Sequence, residues 1–312
     1  MNSADDYTPP SSAEIASKQN SPEALRLLLA QRKMHSKAKF WSTIRTVGVA
    51  AIAIIAPILA ILKPEYAVVA AAVAGAWVFL GRTFLANLQL SKTHKAAAIQ
   101  EDFDVLVFGM PGLAPKSPRA SLEDIEVLVG PAEAINKQVV QQKLENWYPV
   151  DPATSGLDAV AIAQRANASY SSRLLNLNRR MWMTCVVVWV IASVSVGMAF
   201  SWTLETFILG LFLPILPALL DVFEQWRLTT AASRERSELA LSIEEKLAGV
   251  EEHHVQPQDL LIWQERMYSL RISTPQTANF LYKITRESNE RAMKGAADHL
   301  ANNSNSADGG RS

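Results

Sequence analysis

The chain has 312 residues, of which 49% are hydrophobic and 19% are charged, and its 30 basic side chains balance its 30 acidic ones. This balance gives no electrostatic footprint for nucleic acid, so no nucleic-acid partner is expected. The single cysteine excludes a disulfide framework and a cysteine-based metal site.

The chain begins with a polar stretch and then a basic helix. Residues 1–20 are rich in Ser, Asn and Pro, which predicts a disordered N-terminus. Ser21-Pro22 is typical of a helix start, with proline in the first turn. The sequence therefore predicts an amphipathic cytoplasmic helix over residues 21–46, lying on the membrane surface and leading into it.

Residues 47–85 are predicted to form a first transmembrane hairpin. Between Arg45 and Arg82, 36 residues contain only two charged side chains, Lys63 and Glu65. Two apolar runs, 47–62 and 67–80, flank these charges, which favours two helices joined by a short tip. A helix satisfies all its backbone hydrogen bonds internally, as the bilayer requires.

The next segment, 86–180, is too long for a linker and is predicted to be helical and cytoplasmic. Its first helix should stop at Gly109 and Pro111, because glycine and proline end helices. A capping box at Ser121 and a proline at 131 predict two further helices.

Residues 181–223 are predicted to form a second transmembrane hairpin. The 40 residues 181–220 contain one charge, Glu205, and the first 24 of them contain none. Roughly 20 apolar residues suffice to cross a membrane. The other three apolar runs have only 14 to 16 residues, a length that also fits buried helices of a soluble protein.

The C-terminal part is predicted to be a helical cytoplasmic segment, 224–292, followed by a disordered tail, 293–312. Fourteen basic residues flank the four apolar runs on one side, whereas the two tips carry only Lys63. The positive-inside rule then places both termini in the cytoplasm. The predicted fold is an all-α membrane protein with four transmembrane helices arranged as two hairpins, and with helical cytoplasmic middle and C-terminal segments. Its expected location is a membrane, which it crosses several times.

The apolar runs carry small or weakly polar residues at helical spacing. Such faces let helices approach closely, and a mildly polar stripe could also line an oligomeric pore. Packing and pore lining both remain open for these residues: Ala67, Ala71, Gly75, Thr184, Ser193, Gly197 and Ser201.

Enzymatic chemistry has little support in the sequence. The five histidines are scattered, and neither a phosphate-binding glycine loop nor a nucleophile elbow is present. We expect a non-enzymatic protein with no catalytic residues, no metal and no cofactor. The span interiors lack Asp, Glu, Lys and His, which disfavours an ion pump.

Several motifs occur in a fixed order around the two predicted hairpins. They are SPEALRLLLAQRKMHSKAKF (21–40), IQEDFDVLVFGMP (99–111), NWYPV (146–150), AQRANASYSSRLL (163–175) and WQERMYSLRISTPQTANFLYKITRESNE (263–290). In these motifs and in its layout the chain resembles the SMODS-associating four-transmembrane (S-4TM) pore-forming effector family.

This resemblance implies an effector of bacterial anti-phage defence that oligomerises and permeabilises the inner membrane during abortive infection. The implied partners are the lipid bilayer, further copies of the chain, and a cyclic nucleotide made by a partner nucleotidyltransferase. The alternative is a membrane scaffold that recruits a cytoplasmic partner without forming a pore.

Within the motifs, eight polar or aromatic side chains are candidates for a ligand site. They could form a sensor in which Arg165 pairs with a phosphate and Trp147 or Tyr148 stacks on a base. They could instead form a polar network that clamps the cytoplasmic helices together. The eight are Gln100, Asp104, Asn146, Trp147, Tyr148, Gln164, Arg165 and Asn167.

Overall fold

The computed structural model describes residues 7–111, 118–249, 255–277 and 279–309. Throughout these residues the regular structure is helical, as the sequence predicted. The helices are α1 Ser12–Lys18, α2 Pro22–Leu62, α3 Ala67–Leu80, α4 Ala86–Phe108, α5 Leu122–Val129, α6 Ala132–Gln142, α7 Gly156–Ala199, α8 Leu204–Thr206, α9 Leu213–Leu247, α10 Pro257–Ile272 and α11 Asn279–Gly309. A 3₁₀ turn, Pro64–Tyr66, joins α2 to α3, and π-helical segments occupy Gly81–Leu85 and Phe207–Phe212.

Three helical stretches are long and apolar enough to cross a membrane: Pro22–Leu59, Val68–Phe108 and Gly156–Ala199. A fourth candidate consists of Leu204–Phe212 and Ile215–Leu247, which are bent by 62° relative to each other. Among the described residues there are therefore three such helices, or four if the bent pair forms one span. Proline at 217 lies within the fourth stretch and removes a backbone donor there.

The long helices form two groups: α2 packs along α3 and α4, and α7 packs along α9. The two groups meet where α2 and α3 contact α9, and Arg82 bridges them by donating to Glu224 at 2.8 Å. Their apolar ends expose large side chains; Val68 is 80% and Val188 60% exposed.

The opposite, polar ends of the long helices share one hydrophobic core with the shorter helices. Leu28 and Leu29 of α2, Phe103 of α4, Ile243 of α9 and Leu260 of α10 are all fully buried in it. The first part of α2 therefore covers protein rather than lipid. The predicted membrane-surface helix over 21–46 is wrong in this respect, because its leucine stripe faces the bundle core.

The predicted start of α2 and the predicted end of α4 are confirmed. Ser21 caps α2 with Pro22 in the first turn, and α4 ends at Gly109, whose φ of 61° is left-handed. Pro257 opens α10 as expected.

The predicted disorder at the two ends of the chain is wrong for the described residues. Residues 7–20 are ordered because Ser11 and Glu14 form a capping box on α1 and the buried Tyr7 hydroxyl donates to the Phe108 carbonyl at 2.9 Å. Residues 293–309 continue α11, in which Ala297 and Ala301 pack against Ile162. Residues 1–6 and 310–312 lie outside the described part.

Candidate functional site: a cavity beside a buried ionic cluster

A buried ionic cluster joins α4 to α10. The Arg271 guanidinium donates to Asp104 at 2.6 Å and to Glu101 at 3.1 Å, and its side chain is only 9% exposed. The Gln264 amide donates to both carboxylates, at 2.9 and 2.8 Å. Each charge is paired and hydrogen-bonded, which is the condition for keeping charges inside a protein.

Tyr148 connects this cluster to the loop between α6 and α7. Its hydroxyl donates to Asp104 at 2.5 Å, and its ring packs against Phe103 and Phe108, with centroids 5.9 and 5.0 Å apart. Burial, together with the nearby Asp104 charge, raises the pKa of Tyr148 well above its ordinary value. Tyr148 is only 3% exposed and is fixed by these contacts. It belongs to the polar network that links α4, α10 and the α6–α7 loop, which is called the clamp below.

The N-terminal segment fastens the same loop. Gln19 and the Tyr148 backbone exchange two hydrogen bonds, of 2.8 and 3.3 Å. Asn20 does the same with Asn146, at 2.9 Å for each bond. Asn146 has a φ of 51°, a left-handed conformation that asparagine tolerates better than most residues.

Three more of the predicted residues lie in the helix packing. Gln164 donates to the Leu260 carbonyl at 2.9 Å and is fully buried. Arg165 is paired with Glu244 at 2.8 Å. Gln100 accepts from Gln31 at 3.1 Å. These contacts match the clamp interpretation of Gln100, Gln164 and Arg165.

A cavity of about 800 Å³ opens next to this clamp, between the α6–α7 loop, α7 and α11. Such a volume lies in the range of small-molecule sites. Four of the eight predicted residues line it: Asn146, Trp147, Tyr148 and Asn167. The structure thus divides the predicted set between a clamp and a cavity wall.

Aromatic and cationic side chains form one wall of the cavity. The Arg32 guanidinium lies 5.6 Å from the Trp147 ring and 5.4 Å from the Tyr282 ring. Arg286 lies 5.7 Å from Tyr282 and donates to the carbonyls of Gln142 and Lys143, at 3.1 and 3.0 Å. Burial lowers the pKa of Arg32, since desolvation disfavours its charge.

The charged lining of the cavity is mixed. Lys143 and Lys294 have no ion-pair partner among the described residues, whereas Arg286 is paired with Glu290. The acidic members of the lining are Glu145, Asp151, Glu290 and Asp298. Aromatic rings can stack on a planar ring, and lysine ammonium groups can pair with a phosphate. Carboxylates can accept hydrogen bonds from ring N–H groups.

The sequence did not single out Tyr170, Tyr282, Arg286 or Lys294. Tyr170 and Tyr282, whose ring centroids are 6.3 Å apart, come from α7 and α11, which are distant in sequence. Three of these four residues stand within the recognised motifs, and only the fold brings them together at one cavity.

The predicted small-residue faces are partly buried. Ser193 and Gly197 are buried, and a Cβ on Gly197 would lie 3.1 Å from the Phe207 ring. Ala71, Gly75, Thr184 and Ser201 are exposed in the single chain, which gives no support to the packing alternative for these four residues. The side chain of Ala67 lies outside the described part.

Comparison with known proteins adds the family. The model of the SMODS-associating 4TM effector domain matches residues 13–300. A protein of Bacillus cereus strain VD146, described as a probable CBASS effector molecule, is 24% identical over 218 residues, which cover 66% of this chain and 70% of that protein. No solved structure gives a significant match. Because the family model spans nearly the whole chain, the protein belongs to the SMODS-associating 4TM effector domain family.

Proposed function

We propose that this protein is an inner-membrane effector of anti-phage defence, which oligomerises and permeabilises the membrane when its cytoplasmic part is triggered. Family membership and the similarity to a probable CBASS effector molecule support the defence role. In this proposal the apolar stretches form four spans in two hairpins, with both termini in the cytoplasm.

One observation carries the proposal: α7 is a single helix from Gly156 to Ala199. Its first third lines the cavity through Asn167 and Tyr170. Its last third is apolar and exposed, with Val188 60% exposed, as a lipid-facing helix would be. A ligand that shifts the first part of α7 would therefore act directly on the membrane part.

The proposed ligand is a cyclic nucleotide bound in the 800 Å³ cavity. Trp147 and Tyr282 would stack on its bases, and Lys143 and Lys294 would pair with its phosphates. Asp151 and Asp298 would accept hydrogen bonds from base N–H groups, which gives acidic residues a role in an otherwise phosphate-binding site. Arg165 is already paired with Glu244 and has no part in this proposal.

Permeabilisation would require several copies of the chain, because four mostly apolar helices could not enclose a water path alone. The exposed Thr184 and Ser201 are the predicted pore-face residues that a neighbouring copy could contact. Their hydroxyl groups would then give one side of each subunit a weakly polar surface.

Dye release from liposomes that contain the purified protein tests the proposal. Cyclic dinucleotides and cyclic trinucleotides, added separately, should include one that triggers release. Lys294→Ala should raise the ligand concentration needed, whereas Lys283→Ala, an exposed lysine of the same helix that does not line the cavity, should not. Absence of release with every nucleotide, from correctly inserted protein, would sink the pore proposal and favour the scaffold alternative.

A further inference from the structure

A second, smaller cavity lies among the apolar ends of the long helices. It has a volume of about 200 Å³ and is lined by α2 over residues 46–54, by α7 over residues 182–189 and by α9 over residues 215–225. Ile215 and Ala218 of α9 are buried at its floor. Ala50 of α2 and Cys185 of α7 are exposed on its two sides, so it is an open groove between α2 and α7.

The groove is polar at one end only. Thr46, Asp221 and Gln225 lie at the end nearest the hydrophilic half of the molecule, and the remaining lining is aliphatic or tryptophan, apart from Cys185. Arg45 immediately precedes Thr46, and Arg180 lies two residues before Trp182. The charged residue of the lining is Asp221, and the Arg82 guanidinium lies 3.8 Å from its carboxylate and offsets that charge. The hydrogen-bonding groups of Thr46 and Gln225 therefore lie at the level where a phospholipid carries its phosphate and ester groups.

The dimensions of the groove fit one hydrocarbon chain. From residue 46 to residue 54 a helix rises about 12 Å. At about 30 Å³ for each group, the space of a molecule in liquid water, the volume holds roughly seven methylene groups. A length of about 12 Å and a volume of about 200 Å³ describe a narrow slot that takes part of one acyl chain and is too small for a helix of another protein.

We propose that the groove between α2 and α7 binds an acyl chain of a phospholipid from the cytoplasmic leaflet, with the lipid's glycerol and phosphate at Thr46, Gln225 and the neighbouring arginines. This inference rests on the part of the proposed function that places α2, α7 and α9 in a membrane, and it is independent of pore formation. α7, which lines the groove, also lines the 800 Å³ cavity through Tyr170, whereas α2 contacts the Trp147 and Tyr282 rings of that cavity through Arg32.

Cys185 is the only cysteine of the chain and lines the groove, so it reports occupancy without an added label. The experiment measures the rate of Cys185 alkylation by N-ethylmaleimide, by intact-protein mass spectrometry, on lipid-depleted protein in detergent. Dioleoyl phosphatidylglycerol is then titrated in. The rate should fall saturably, by about threefold when free lipid reaches twice its dissociation constant.

The matched control moves the thiol off the groove. Cys185→Ser combined with Val188→Cys places it on an exposed face of α7 that does not line the groove, and its rate should not respond to lipid. Ala53→Phe should fill the groove and slow Cys185 alkylation before any lipid is added, whereas Ala72→Phe on the exposed face of α3 should not.

Several results would overturn the inference. Equal slowing at positions 185 and 188 would mean that lipid only changes the micelle. Unchanged Cys185 reactivity across the titration would mean an empty groove, and slowing that follows dimer formation in light scattering would assign the groove to a second copy. Since none of these readouts measures leakage, a failed pore proposal leaves the result of this experiment intact.

Discussion

Gly48 of α2 packs directly against the Trp77 ring of α3, since a Cβ atom on Gly48 would lie 2.0 Å from that ring. Favourable carbon–carbon contacts need about 3.5 Å or more, so Gly48→Ala forces the ring or the helix to move by about 1.5 Å. Overpacking of this kind costs about 1–3 kcal/mol. Alanine recovers about 1 kcal/mol of helix propensity, so the net loss should be about 0–2 kcal/mol, and Gly48→Ala should be less stable than a glycine-to-alanine change in open space by about 1–3 kcal/mol.

The assay is thermal unfolding of the purified protein in one detergent, followed by circular dichroism. A difference of this size should place the Tm of Gly48→Ala several degrees below that of an alanine variant in open space, at about 2–4 °C per kcal/mol for a domain of 150–250 residues. Gly75→Ala is the matched control, because a Cβ there meets nothing within 4 Å. It should leave the Tm unchanged or slightly raised.

A second variant separates the steric effect from any general intolerance of α2. Trp77→Leu combined with Gly48→Ala removes the ring that the new methyl group would strike, so the double variant should lose less stability than the two single losses added together. The reasoning fails if Gly48→Ala and Gly75→Ala have the same Tm, or if the two losses are simply additive.

Three further outcomes are expected. Arg271→Met leaves two buried carboxylates, Asp104 and Glu101, without their guanidinium, and it should cost about 3–5 kcal/mol in thermal unfolding. Leu177→Pro breaks α7 between the cavity and the apolar part at a cost of about 3 kcal/mol; it should abolish nucleotide-triggered dye release but not insertion, while Leu177→Ala retains both. Burial lowers the pKa of His35 to about 4, so the folded protein keeps it neutral while the unfolded chain takes up a proton below about 6.5; stability should therefore fall by about 1 kcal/mol between pH 7.5 and pH 5.5, and His35→Gln should flatten that dependence.

The helices that the sequence predicted best are those with local signals. Ser21-Pro22, Gly109 and Pro257 mark helix ends through backbone chemistry that needs no distant partner. The apolar runs predicted the long helices because hydrophobicity along the chain is also a local signal. The α6 helix illustrates the limit: the proline at 131 predicts that a helix follows, but nothing local predicts its end at Gln142.

The two ends of the chain were mispredicted because composition cannot report tertiary contacts. The first 20 residues are polar enough to be disordered in isolation. Residues 7–20 order because Tyr7 reaches the Phe108 carbonyl and Gln19 pairs with the Tyr148 backbone, two contacts that span more than 100 residues. The tail is likewise held by α7, through Ile162 against Ala297 and Ala301.

The candidate site shows the same division between local and long-range information. The motifs gave eight candidate residues with two alternative roles, and the fold places Asn146, Trp147, Tyr148 and Asn167 at the cavity and the other four in helix packing. Asp104 and Tyr148 are buried and fully engaged, so a ligand could use them only by dismantling the ionic cluster. Trp147 and Tyr282 line an open cavity, and the Arg32 guanidinium lies 5.6 Å from the first ring and 5.4 Å from the second. The proposed ligand would therefore reorder Arg32 and would leave the buried ionic cluster of Arg271, Asp104 and Glu101 intact.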